Sequence, residues 1–173
     1  MTRFSARLLV LTVVAFFAIA AFSQAPSKDT VLKATDITQK IFPASVFYRG
    51  QVASTQMRNT GGVHYTDDMY VLAGLVDNSG YSSGVKAKYQ AMLLSEVPLD
   101  INGQSLKAGA YGLGFLEGSK FVVTDLGAND IFQVEGKRDA DIKHPVPLQV
   151  VAGDNGSYKL YMGRDYVSFH RAK

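Results

Sequence analysis

The sequence predicts an all-β fold, an antiparallel β-sandwich or small barrel with one short N-terminal helix. Apolar residues alternate at period two through most of the chain after residue 45. Turn residues punctuate these segments about every ten positions, as in sandwiches and barrels. Two Asn-Gly dipeptides, Asn102-Gly103 and Asn155-Gly156, each divide a pair of short apolar segments, and that dipeptide favours the positive φ angles of a type I′ hairpin. There is no helix–strand alternation and no internal repeat, which argues against a parallel α/β sheet.

Residues 1–23 predict a secretory signal peptide. Arg3 and Arg7 precede the uncharged run Leu8–Phe22, and the small polar stretch Ser23-Gln24-Ala25 follows, which is the three-part layout of such a segment. Cleavage after Ser23, with Ala21 three positions back, satisfies the small-residue rule. The run is shorter than the roughly 20 apolar residues that span a bilayer core, so a retained anchor is the lesser alternative. The sequence holds no cysteine, which excludes a thioether-linked lipid and a disulfide framework. An exported chain without disulfides suits a bacterial periplasm or exterior better than a small eukaryotic secreted module.

Of 173 residues, removal of 23 leaves 150, and the loss of Arg3 and Arg7 lowers the net charge from +3 to +1. Nucleic-acid binding needs a clustered excess of Lys and Arg to displace counterions, so no nucleic-acid partner is expected. A chain of this size buries about 68–70% of its unfolded surface, enough for one core without covalent staples.

Residues 24–44 read as a leader and short helix, and 45–173 as a single β domain. Pro26-Ser27-Lys28-Asp29 is the solvated leader. From Thr30 to Ile41, Val31, Ala34, Ile37 and Ile41 recur at helical spacing, and Pro43 ends the helix. Along Met69–Val76 both alternating faces are apolar, which predicts a central strand. In the next segment Val85, Ala87, Tyr89, Ala91 and Leu93 oppose Lys86, Lys88 and Gln90, which predicts an outer strand with one wet face. The run Ala108–Lys120 contains Gly112, Gly114 and Gly118, where missing side chains allow a kink or the close packing of an aromatic ring. Mixed charges between Gly127 and Pro147 predict an exposed loop, with strand pattern resuming at its flanks, Ile131–Val134 and Val146–Val151. After Gly163-Arg164-Asp165 a last strand turns Val167 and Phe169 inward.

The stretch Asp100-Ile101-Asn102-Gly103-Gln104-Ser105-Leu106-Lys107-Ala108-Gly109-Ala110-Tyr111 resembles a hairpin found in an uncharacterised family of exported bacterial β-domains, whose members carry Leu-x-Ala-Gly-x-Tyr after a Gly-containing turn. The resemblance covers residues 100–111 and implies compartment and strand content. It implies no activity.

Chemical motifs are sparse. Gly112-Leu113-Gly114-Phe115-Leu116-Glu117-Gly118 has the wrong spacing for a dinucleotide fingerprint and leads into a strand, whereas a pyrophosphate site needs a helix N-terminus there. Of the three histidines, His144 precedes Pro145 in the charged loop and His170 sits on the wet face of the last strand. His64, with Asp67 and Asp68, is the candidate metal group, although a regular strand would hold His64 and Asp68 about 13 Å apart. A turn would be needed to join them, and solvated loop residues are the simpler reading. Tyr48, Arg49, Arg58 and Tyr65 flank the polar loop Gln51–Thr60 and are the candidate ligand-binding residues, because tyrosine and arginine predominate at binding surfaces. Tyr81-Ser82-Ser83-Gly84 is the other small, adaptable loop suited to covering a pocket. Asn155-Gly156-Ser157 matches a glycosylation sequon but serves equally as a tight turn.

The sequence therefore predicts an exported, periplasmic or extracellular, non-enzymatic binding or envelope-associated module. It would have no cofactor and no membrane span after cleavage, and its partner would be a glycan, a peptide or an envelope component. The alternatives are a periplasmic hydrolase or metal-dependent enzyme using His64, Asp67 or Asp68, and a small barrel whose Met57, Met69 and Met92 line a site for an apolar ligand.

Overall fold

A computed structural model describes residues 28–173; the expected signal peptide lies outside them. In chain order the strands are β1 (Thr30–Lys33), β2 (Ser45–Tyr48), β3 (Gln51–His64), β4 (Tyr70–Val76), β5 (Ala91–Ser95), β6 (Leu99–Ile101), β7 (Gln104–Leu106), β8 (Gly109–Phe115), β9 (Lys120–Thr124), β10 (Asp130–Glu135), β11 (Lys137–Arg138), β12 (Gln149–Ala152), β13 (Tyr158–Met162) and β14 (Asp165–Arg171). Among the described residues one α-helix, α1 (Ser83–Lys88), lies between β4 and β5, and a 3-10 turn, Glu117–Ser119, joins β8 to β9. All strand pairs are antiparallel. Among the described residues they form one sheet in the order β1-β3-β4-β5-β8-β9-β10, with β2 appended to β3, and another in the order β12-β13-β14-β6-β7, with β11 appended to β14. No helix of the described residues is long and apolar enough to cross a membrane.

The alternation of β4 explains the layering. Val71, Ala73 and Leu75 point between the sheets, where they meet Leu99, Ile101, Leu160, Val167 and Phe169 of the second sheet. Tyr70, Leu72 and Val76 point the other way, into an outer core of Phe42, Val46, Tyr48, Tyr81, Val85, Tyr89 and Met92. Both faces of this strand are covered, as its apolar pattern predicted. Each fully buried aliphatic or aromatic side chain contributes about 1.5–3 kcal/mol, so this strand is held from two sides.

The space left between the sheets is only about 10 Å³, which leaves an apolar ligand no room there. Nor do the three methionines share a cavity. Met92 is buried, Met57 packs part-buried on the outer core and Met69 is exposed.

The hairpins form where the Asn-Gly dipeptides lie. Asn102 and Gly103 take φ of 47° and 85° between β6 and β7, and Asn155 and Gly156 take 54° and 75° between β12 and β13. A third such turn, Arg49-Gly50 with φ of 46° and 75°, joins β2 to β3.

Three local expectations are corrected. The segment from Thr30 to Ile41 is not helical: Thr30–Lys33 is a strand paired with Gly61–His64, followed by turns in which the Asp36 amide donates to Lys33 O and the Phe42 amide to Thr38 O. The helix is instead α1, inside the segment expected to be an outer strand, and β5 lies between β4 and β8 in the sheet interior. Finally, β8 passes through Gly112 and Gly114 without a break, and the expected kink falls at Gly118, φ 75°, in the 3-10 turn Glu117–Ser119. These glycines admit neighbours: a Cβ on Gly112 would stand 2.8 Å from the Tyr48 ring, and one on Gly114 2.5 Å from the carbonyl oxygen of Lys88.

Candidate functional site

The residues singled out from the sequence lie in three places. His64 ends β3 and Tyr70 opens β4, with a tight loop between them. The Tyr65 amide donates to Met69 O and the Asp68 amide to Tyr65 O, and Asp68 sits at φ 66°. This reversal does what a straight strand could not: it brings His64 Nε2 within 2.7 Å of Asp68 Oδ1. The imidazole stacks on the Tyr70 ring, with centroids 4.1 Å apart and planes 9° from parallel. Asp67 turns away and pairs with Arg171 at 2.8 Å. The hydrogen bond from Arg171 holds the Asp67 carboxyl below the usual carboxylate range. Among the described residues, no three His, Cys, Asp or Glu side chains gather as a metal group.

Tyr65 lies under this loop and is buried, edge-on to Tyr158 with ring centroids 6.2 Å apart. The Arg171 guanidinium stands 5.3 Å from its ring centre. Its hydroxyl finds no hydrogen-bond partner in the described structure, and burial raises its pKa. Asp29 ties the loop to the second sheet, accepting from the Thr66 amide at 3.1 Å and from the Tyr158 hydroxyl at 3.2 Å.

Tyr48 and Arg49 lie at the tip of the β2–β3 hairpin. Tyr48 is fully buried, stacked on Tyr89 with centroids 3.6 Å apart; burial raises its pKa, and its hydroxyl shares a 2.7 Å hydrogen bond with Thr124 Oγ1. Arg49 is a turn residue whose amide donates to Leu126 O. With Ser82, Gly84 and Lys88 these two residues border a depression of about 270 Å³. Lys88 there is paired with Asp130 at 2.7 Å.

Arg58 occupies the third place, a groove of about 500 Å³ where the edges of the two sheets meet. Its walls are residues 31–34 of β1 and the turn after it, 58–60 of β3, and 146–152 of β12 and the segment before it. Successive strand residues point to opposite faces, so a groove touched by every residue of a strand runs along its edge. β12 is seated against β3 because Gly61 has no side chain: a Cβ there would lie 2.8 Å from Val150 N. The walls are mainly apolar, with Val31, Leu32, Val146, Leu148, Val150 and Val151 contributing. Among the described residues, Lys33 and Arg58 are the only charged ones lining it. Neither takes part in an ion pair among the described residues.

Tyr48 and Arg49, Arg58, and Tyr65 with His64, Asp67 and Asp68 thus occupy separate parts of the surface. Reading the sequence found Arg58 but missed Lys33 and the 146–151 wall, because the groove is assembled from three segments far apart in the chain. Their apolar residues are indistinguishable in sequence from core. The chain matches no family model, no curated protein and no solved structure.

Proposed function

We propose that this chain is an exported, non-enzymatic binding module, periplasmic or extracellular, and that its ligand lies in the groove between β1 and β12. The observation that carries the reading is the groove: about 500 Å³, within the range of small-ligand sites, mainly apolar and with a few polar groups at its margin. The layout of residues 1–23 supports export, and the lack of a gathered nucleophile, base and orienting group around any histidine supports binding over turnover.

The 2.7 Å His64–Asp68 contact favours one competing reading, a hydrolase in which Asp68 orients the imidazole as a general base. One experiment separates the two. Mature protein from the periplasm, its N-terminus reading Gln24, is screened for binding of glycans, peptides and envelope extracts and for turnover of ester, glycoside and peptide substrates. Binding weakened by Arg58→Glu and untouched by His64→Ala supports the module. Turnover abolished by His64→Ala at unchanged Tm, with no binding, overturns it.

A further inference from the structure

Taking the groove as the binding surface, we infer that its ligand is an extended, acidic peptide segment that pairs with the free backbone edge of β1 and lies against β12. Three observations converge on this chemistry.

The first is the state of the edges. β1 and β12 each end a sheet, so one side of each has no strand hydrogen-bonded to it among the described residues; on β12 that side abuts Gly61 of β3 at Val150. In β1 the Lys33 amide donates to Asp36 Oδ2 and its carbonyl accepts from the Asp36 amide, both at 2.9 Å, so both groups point away from β3. Alternate residues of a strand direct their amide and carbonyl to the same edge. The N–H and C=O of Val31 therefore face the free edge, with no strand hydrogen-bonded to them among the described residues. In β12, the Gly153 amide donates to Ser157 O across the hairpin. By the same alternation Ala152 directs its N–H and C=O outward. Val31 and Ala152 both line the groove. The open donor and acceptor of Val31 are what the backbone of an added extended segment completes.

The second is the wall chemistry. Val31, Leu32, Val146, Leu148 and Val151 offer apolar surface to the alternate side chains of an extended segment, while no aromatic ring lines the groove as a platform for a sugar.

The third is charge. Lys33 and Arg58 border the groove, and no carboxylate lines it. Two cations that form no ion pair among the described residues, at the margin of an apolar cleft, favour an anionic occupant and disfavour a cationic one.

The test uses the full mature chain and three labelled short peptides in which valine alternates with glutamate, glutamine or lysine, read by fluorescence anisotropy. The valine–glutamate peptide is expected to bind more tightly than the glutamine one, and the lysine peptide not at all. The double variant Lys33→Glu/Arg58→Glu is expected to weaken the first by about tenfold and to gain the third. N-methylation of alternate backbone amides in the valine–glutamate peptide should abolish binding, since it removes donors without touching side chains. Equal binding of all three peptides, indifference to N-methylation, or no peptide binding would each overturn the inference. Dodecanoate serves as the amphiphile probe: if it binds in an Arg58-dependent way while the peptides do not, the peptide inference falls and the groove remains the binding surface. If Arg58→Glu alters the binding of no probe, the groove reading itself falls.

Discussion

Gly112 sits where a methyl group has no room. A Cβ there would stand 2.5 Å from Thr124 Oγ1 and 2.8 Å from the Tyr48 ring, and both atoms are fixed by their own contact of 2.7 Å. Tyr48 has little freedom to yield, since it stacks on Tyr89 and meets Tyr81 edge-on at 5.9 Å. Gly112→Ala is therefore expected to destabilise the protein by about 1–3 kcal/mol, the usual cost of overpacking a filled core. Gly84 is the contrast: it lies in α1 with nothing within 4 Å of where a Cβ would stand. Gly84→Ala should be neutral or stabilise by up to about 1 kcal/mol, through a less flexible unfolded chain. Urea denaturation of both variants at unchanged slope checks the pair, and a smaller loss for Gly112→Ala than for Gly84→Ala would contradict the packing account.

Among the elements, the turns were the most legible. Asn102-Gly103 and Asn155-Gly156 announce their hairpins because few residues tolerate two successive positive φ angles. Gly103, at φ 85° with open space around its Cβ position, isolates that backbone effect. Gly103→Val should cost about 1–2 kcal/mol from the left-handed conformation alone. This would appear in thermal melting as a lower Tm, by about 2–4 °C per kcal/mol for a chain of this size. The central strand was legible for a comparable reason, since two apolar faces have only one place to go.

The two misread segments fail for a common reason: spacing admits two periods. In Thr30–Ile41, Val31 and Ile37 both become core residues, but of different cores, reached by a strand and then turns. No intact helix could place them so. Around residue 85, Val85 and Tyr89 are buried while Ala87 is exposed. The i, i+4 pair was the true signal, and the intervening alanine counterfeited alternation. The Lys33 and Val146–Val151 walls of the groove carried no signal of their own, because only the meeting of two sheet edges makes them a site.

At the scale of the whole molecule, the tyrosines set the alkaline limit. Burial raises the phenols of Tyr158 and Tyr161 to about 12, helped by the carboxylates of Asp29 and Asp139. Tyr65 and Tyr89 are raised as well, chiefly by burial. An unfolded tyrosine ionises near pH 10. Between about pH 10 and 12 the unfolded chain has released protons that the native state keeps, so stability is fully present below pH 10 and falls as pH rises through that window. Tyrosinate absorbance and circular dichroism should change together there. Ionisation of all the tyrosines in that range with an intact β spectrum would contradict the account.

The placement of β14 has a consequence for when the molecule can become a molecule. It lies between β13 and β6 in the second sheet, matching Phe169 to Ile101 and Tyr158 to Phe169. The β6–β7 hairpin therefore has no partner in its own sheet until the final strand, Asp165–Arg171, has been synthesised. Closing so long a loop is slow, and contacts this distant in sequence delay the rate-limiting step. A ribosome-bound chain lacking its last residues cannot complete its inner core. Under the export proposed above, that delay would leave the β6–β7 hairpin open while the chain is still passable to a translocon.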